Sequence, residues 1–256
     1  MLRALTVAVT ILTLSIVTTP HVARAQDASS PPPYTPPSRR IAPGDTSLRA
    51  AKLRPDTLTY DLMAFRDASA VSVGTIVDVL TRSTEGVPQL RRVLSVQLSA
   101  AALIDSTITD AGTMAPRQHR SYQPTRKMRI DIAGMRVRGT LGPMEGPGVA
   151  IDTTLSTPFF DSGNWDLIVR AMPLAPGFAA VFRVYDLDTG LKDYTVRVVG
   201  ATTMYGEAAH VVLFRLGAGS EATVWIGAES RRLLQVETPL GATTLLRQTL
   251  RAPAPR

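Results

Sequence analysis

Alternation with a period of two is the feature that most limits what this chain can fold into. Met128, Ile130 and Ile132 are interleaved with Lys127, Arg129 and Asp131, and after Ala133-Gly134 the pattern resumes with Met135 and Val137 against Arg136 and Arg138. Successive side chains of a strand point to opposite faces, so such a stretch buries one face and wets the other. The spacing predicts two antiparallel strands joined at Ala133-Gly134. Strands are also predicted at 57–65, 71–82, 89–99, 102–109, 115–123, 178–186, 191–200, 208–216, 221–227, 232–238 and 242–250. Their connections are short and rich in Gly, Asp and Pro, which suits hairpins and an antiparallel meander. A sheet of about a dozen strands does not stay flat. The expected fold class is therefore mainly β, a curved antiparallel sheet forming a half-barrel or barrel, with one or two short helices.

One segment breaks the alternation. Trp165, Ile168, Val169 and Met172 fall at i, i+3, i+4 and i+7, one face of a short helix. Ser162 or Asn164 is placed to cap it, and Pro173 ends it. A weaker helical pattern lies at 46–53, where Ala50, Ala51 and Leu53 follow Ser47.

Residues 1–25 have the character of an export signal. Arg3 precedes a mildly apolar run over 4–17, Pro20 breaks it, and Ala23-Arg24-Ala25 offers the small-x-small pattern of a cleavage site. The run is too short to span a bilayer. Residues 26–47 hold Pro31, Pro32, Pro33, Pro36, Pro37 and Pro43 and read as a Pro-rich linker; 252–256 reads as a loose tail. One β domain is expected over 48–251. The expected location is the periplasm or the exterior. The chain contains no Cys, so no disulfide framework, thiolate metal site or thiol nucleophile is available. The missing Cys also removes the attachment point of a lipid-anchored lipoprotein. The formal net charge is +7, enough to attract anionic surfaces weakly. No zinc-finger, helix-turn-helix or ribonucleoprotein pattern accompanies it, so nucleic acid is not an expected partner.

Sequence motifs for chemistry are sparse. Asp161-Ser162-Gly163 and Asp188-Thr189-Gly190 share the pattern of aspartic-protease loops, but the first precedes the predicted helix and the second lies between two predicted strands. Both are good cap and turn chemistry. Outside the signal the histidines are His119 and His210, with no HxH or HExxH spacing, so no metal or other cofactor is expected. A Ser-His-Asp triad dispersed along the chain remains an alternative, without a Gly-x-Ser-x-Gly elbow to support it.

Two groups of residues stand out for binding. Lys127, Arg129, Arg136 and Arg138 share the wet face of one hairpin and are candidates for contact with an anionic membrane surface. Pairing across Ala133-Gly134 is expected to set Arg129 opposite Arg138, a repulsive pair. Strands 178–184 and 208–216 are apolar on both sides. Such strands are covered by a helix, a closed sheet or a bound apolar ligand. Phe178, Phe182, Val212, Phe214 and Trp225 are the candidate lining of a ligand cavity.

The stretch Phe160-Asp161, Trp165 to Leu174 and Pro176-Gly177-Phe178, followed by Trp225-Ile226-Gly227-Ala228-Glu229-Ser230 and Leu233 to Glu237, resembles an uncharacterised bacterial envelope family. Asp105-Ser106-Thr107 and Pro116 to Arg120 resemble an earlier hairpin of the same family, which has Asp where this chain has Gly227. That family is similar in turn to the LolA-like lipoprotein-sorting half-barrels. The resemblance implies a curved sheet that holds apolar chains and no established activity. Together these readings lead to an expected non-enzymatic envelope protein that binds a lipid or other apolar ligand. A scaffold or protein-interaction module with a filled core, its protein partner unknown, is one alternative, and a hydrolase with a dispersed triad is the other.

Overall fold

The structure, a computed structural model, describes residues 37–216 and 220–251. The expected signal, the first part of the linker and the C-terminal tail lie outside the described residues. Thirteen of the strands lie where strands are predicted: β2 (Asp56–Arg66), β3 (Ser69–Ser83), β4 (Gln89–Leu98), β5 (Ala102–Asp110), β6 (Pro116–Tyr122), β7 (Arg126–Ala133), β8 (Arg136–Pro143), β11 (Ala179–Asp186), β12 (Gly190–Met204), β13 (Glu207–Arg215), β14 (Glu221–Gly227), β15 (Leu233–Leu240) and β16 (Thr244–Leu250). Three more were not predicted: β1 (Arg40–Ile41), β9 (Val149–Thr154) and β10 (Phe160–Asp161).

Among the described residues all sixteen strands belong to one sheet. The meander β2–β9 and the meander β11–β16 are joined where β16 pairs with β2, so the two ends of the domain meet in the middle of the sheet. β1 and β10 each pair in parallel with β11, and the other pairings are antiparallel. The path runs from β1 to β9 without those ends pairing. The sheet is curved and open, a half-barrel and not a closed barrel.

Side chains lace the open seam instead. Phe159 packs edge-on against Tyr185 with ring centroids 5.5 Å apart. It joins Met128, Ile130, Ile132 and Val137 from β7 and β8 to Leu187 and Leu191 beyond it. Arg126 on β7 makes a two-pronged pair with Asp188, both bonds at 2.8 Å.

The β7–β8 hairpin corrects the expected register. Gly134 and Met135 form the turn, with Gly134 at φ 61°, a conformation that glycine adopts without penalty. Ala133 therefore faces Arg136, Asp131 faces Arg138, and Arg129 faces Thr140. The repulsive Arg129–Arg138 pair does not form, because the two-residue turn places an acid opposite Arg138.

The helix α1 (Trp165–Ala171) lies where its periodicity predicts. Its entry differs from the expected cap. Asp161 accepts a hydrogen bond from Gly163 N at 2.7 Å and starts a short 3-10 turn over Ser162–Asn164 that runs into the helix. Asn164 instead ties the helix entry to β5, accepting from Thr107 Oγ1 and donating to Thr109 Oγ1. The second predicted helix reduces to one 3-10 turn, Ala50–Lys52. The last part of the expected linker is packed: Ile41 is 1% exposed, and β1 extends the sheet beside Val181 and Phe182. The packed unit thus begins near Arg40, ahead of the expected residue 48.

Helix α1 is buried in the main core, with Leu167, Ile168 and Val169 against Phe160, Phe182, Tyr194 and Phe214. Trp165 stacks on Phe214 at 4.4 Å. Burial of each such side chain stabilises the fold by about 1.5–3 kcal/mol. Among the described residues no helix is long and apolar enough to cross a membrane.

Candidate functional site

Beside Trp165 the helix leaves part of the sheet uncovered. A groove of about 140 Å³ remains there, floored by β2–β5 on one side and β13–β16 on the other. Leu62, Ile76, Val96, Leu103, Phe214 and Val236 supply apolar walls, and Arg92, Asp105, Gly163 and Asp166 form a polar end. This volume is close to that of a cavity that holds one benzene ring. The groove therefore seats a ring or a short length of apolar chain, with the remainder of a larger molecule outside.

The polar end is built around Arg92, which is 5% exposed. Its Nε and Nη2 donate to Asp78 at 2.9 and 2.7 Å, and its Nη1 and Nη2 donate to Asp166 at 2.5 and 2.9 Å. Burial acts against the charge on Arg92, but Asp166 and then Asp78 outweigh it and hold its pKa above the ordinary arginine value. Burial likewise pushes the Asp78 carboxyl up, and the Arg92 charge more than reverses this. The result is a satisfied charge triad that staples α1 to β3 and β4.

Next to it, His119 on β6 lies between two carboxylates. Its Nδ1 meets Asp161 at 3.0 Å, and its Nε2 faces Asp105 at 4.0 Å. Burial alone would lower the imidazole pKa, but Asp161 and then Asp105 push it up to about 10. The ring is held as an imidazolium. Gly163 makes room for it, since a Cβ there would sit 2.9 Å from His119 Cε1 and 3.2 Å from Asp161 Oδ1.

A family model described as a protein of unknown function, DUF3108, matches residues 59–247. The chain belongs to the DUF3108 family. No curated protein matches it. The DUF3108 match runs from β2 into β16 and includes the groove, the Arg92 triad and His119.

Within this DUF3108 domain the five residues expected to line a cavity do not converge. Phe214 lines the groove. Phe182 and Val212 are fully buried in the core behind it. Phe178 is half-buried at the start of β11, with the Arg39 guanidinium 5.2 Å from its ring centre. Trp225 is half-buried on β14 and packs against the main core, outside the groove wall. A single strand's alternation shows that a face is covered, but not which element covers it; here α1 covers most of it.

The four basic residues do share one face of β7 and β8, and each has a local partner. Arg136 and Arg138 both bind Asp152, Arg129 donates to Tyr122 Oη, and Lys127 donates to the Met144 carbonyl. The two protease-like aspartates serve the fold: Asp161 caps and holds His119, and Asp188 pairs with Arg126. His210 stands half-buried on β13 opposite Ile226.

Sequence reading missed Arg92, Asp78, Asp105 and Asp166. A signal for three of them was present. Asp78 interrupts the apolar phase Ile76–Leu80, Arg92 interrupts Leu90–Leu94, and Asp105 follows Leu103 in phase. A charge on the buried phase of a strand calls for a buried counter-charge.

Proposed function

We propose that this is an exported, non-enzymatic envelope protein that holds an apolar ligand in the groove beside Trp165. The observation that carries the reading is that groove: an apolar trough on the inner face of an open sheet, with charges gathered at one end. Hydrophobic burial supplies the affinity, without a chemical step. A half-barrel with a helix laid in it is the arrangement that the sequence resemblance to LolA-like lipoprotein-sorting proteins implies, and the export-signal character of residues 1–25 supports a periplasmic site of action. The basic face of the β7–β8 hairpin would meet anionic headgroups while the groove receives a chain.

The two tryptophans make a direct test. Trp225→Phe leaves Trp165 as the sole reporter, standing in the groove wall. Titration with a fluorescent fatty acid should quench Trp165 saturably, and Ala222→Leu, which fills the groove, should abolish the quench. Solvent extraction and native mass spectrometry of the purified protein should find a bound apolar molecule. Absence of both signals would overturn the reading.

The full burial of Phe182, Val212 and Phe214 under α1 favours a second reading, an envelope scaffold whose core is filled by its own helix. It expects no co-purifying lipid, and a protein partner captured along the free edge of β9.

A further inference from the structure

Asp105 is a carboxylate in the groove wall to which no described residue donates a hydrogen bond. It stands on β5 in phase with the buried Leu103, Thr107 and Thr109, so its side chain points to the inner face of the sheet. Its cross-strand neighbours are Leu94 on β4 and Ser121 on β6, and neither carries a charge. Its Oδ1 is buried and unpartnered. The ion pair that this oxygen makes with His119 Nε2 is 4.0 Å long, beyond hydrogen-bond length. The side chain as a whole is 27% exposed, and it lines the groove beside Leu94, Leu103 and Arg92. A molecule in the groove therefore reaches this carboxylate.

The other charges of the wall are already engaged. Arg92 has five N–H groups, and the protein takes all of them. Nε and Nη2 donate to Asp78, Nη1 and Nη2 donate to Asp166, and Nη1 also meets the Gly163 carbonyl at 3.5 Å. No donor of Arg92 is left for an anionic head. Thr238 and Gln248, also in the wall, are uncharged. Behind the wall His119 lies 3.0 Å from Asp161, Arg170 lies 3.6 Å from Asp166, and Arg126 is paired with Asp188. Arg92, Arg170 and His119 thus face Asp78, Asp166, Asp161 and Asp105, and the carboxylates are in excess.

A partly dry carboxylate without a hydrogen bond is costly, and a charged donor relieves it best. A carboxylate or phosphate head would meet Asp105 as a like charge. A fatty acid accordingly enters the groove by its tail and leaves its head in water. A protonated amine does the opposite: its N–H groups satisfy Asp105 and its charge balances the excess, while its apolar part lies on Leu94, Leu103, Trp165 and Phe214.

We propose that the groove selects an apolar amine, whose protonated head donates to Asp105. The proposal rests on the reading of the groove as a ligand site and adds the chemistry of the ligand's head. Asp105 is the residue that sets this specificity.

The experiment titrates octylamine, octanol and octanoate into the purified protein at neutral pH, below their micellar range, by calorimetry. The three share one chain and carry a cationic, a neutral and an anionic head. Trp165 emission in the Trp225→Phe protein reports their arrival in the groove. Octylamine should bind about tenfold or more tightly than octanol, and octanoate no more tightly than octanol. Asp105→Asn keeps the shape and removes the charge, so octylamine should lose its advantage while octanol binds as before. Should that variant not fold, the order of the three heads on the native protein still decides. An amine that binds no more tightly than the alcohol, a preferred octanoate, or an undiminished amine preference in Asp105→Asn would overturn the amine head and leave the groove reading standing. No saturable binding of any of the three would overturn both.

Discussion

Arg92 on β4 and Asp166 on α1 are joined by two parallel hydrogen bonds, Nη1 to Oδ1 at 2.5 Å and Nη2 to Oδ2 at 2.9 Å. The remaining edge of the same guanidinium binds Asp78 on β3. One arginine therefore fixes how the helix is seated against two strands. The groove beside Trp165 depends on that seating.

Removing this arginine should be severe. Arg92→Met leaves Asp78 and Asp166 buried with no shared counter-charge. Breaking a buried pair from one side costs about 3–5 kcal/mol. Urea unfolding monitored by far-ultraviolet circular dichroism should show a loss of that size. A loss below about 1 kcal/mol would mean that packing alone seats the helix.

His119 should make stability fall as the solution turns alkaline. Its folded pKa is raised to about 10, against about 6.5 in an unfolded chain. The folded state therefore binds more protons between those values, and its stabilisation is complete below about pH 6.5 and lost as pH rises through about 10. Unfolding free energies measured across this window should decline with pH in the native protein. In His119→Gln that part of the decline should disappear.

Gly163 is needed for room and not for backbone freedom. In Gly163→Ala the new methyl meets His119 Cε1 at 2.9 Å and Asp161 Oδ1 at 3.2 Å, so the imidazolium must shift from its carboxylates. A destabilisation of about 1–3 kcal/mol is expected for such overpacking, read as a lower denaturant midpoint. The His119→Gln/Gly163→Ala double variant should lose less than the sum of the two, because the two residues touch.

The basic face of β7 and β8 should govern attraction to anionic surfaces. Replacing Lys127, Arg129, Arg136 and Arg138 by Gln should weaken co-sedimentation with phosphatidylglycerol vesicles and remove most of its salt dependence. The melting temperature should hardly move, since exposed pairs contribute little. Unchanged vesicle binding would separate this face from any membrane role.

The predicted strands were legible because their apolar and polar residues alternate cleanly over several positions. β9 escaped because it is a short edge strand that buries little: Val149 is 76% exposed, and Gly and Pro crowd the segment before it. β1 escaped because two residues in a Pro-rich stretch carry no period. Helix α1 was legible from Trp165, Ile168, Val169 and Met172, but that spacing says nothing about where its polar residues lie. Asp166 and Arg170 are in fact buried, because the curved sheet surrounds the helix and Arg92 comes to meet it.

The chain's own order of residues determined that it would form an antiparallel sheet, where most strands begin and end, and that one short helix would interrupt them. Those properties rest on side-chain period and turn chemistry, which act between near neighbours. Only the tertiary structure decided that the sheet stays open, that Asp131 faces Arg138, and that Arg92, Asp78 and Asp166 share one buried site. Arg92 and Asp166 are 74 positions apart, and their pairing becomes favourable only when sheet curvature brings both into the same dry interior, where either charge alone would be costly.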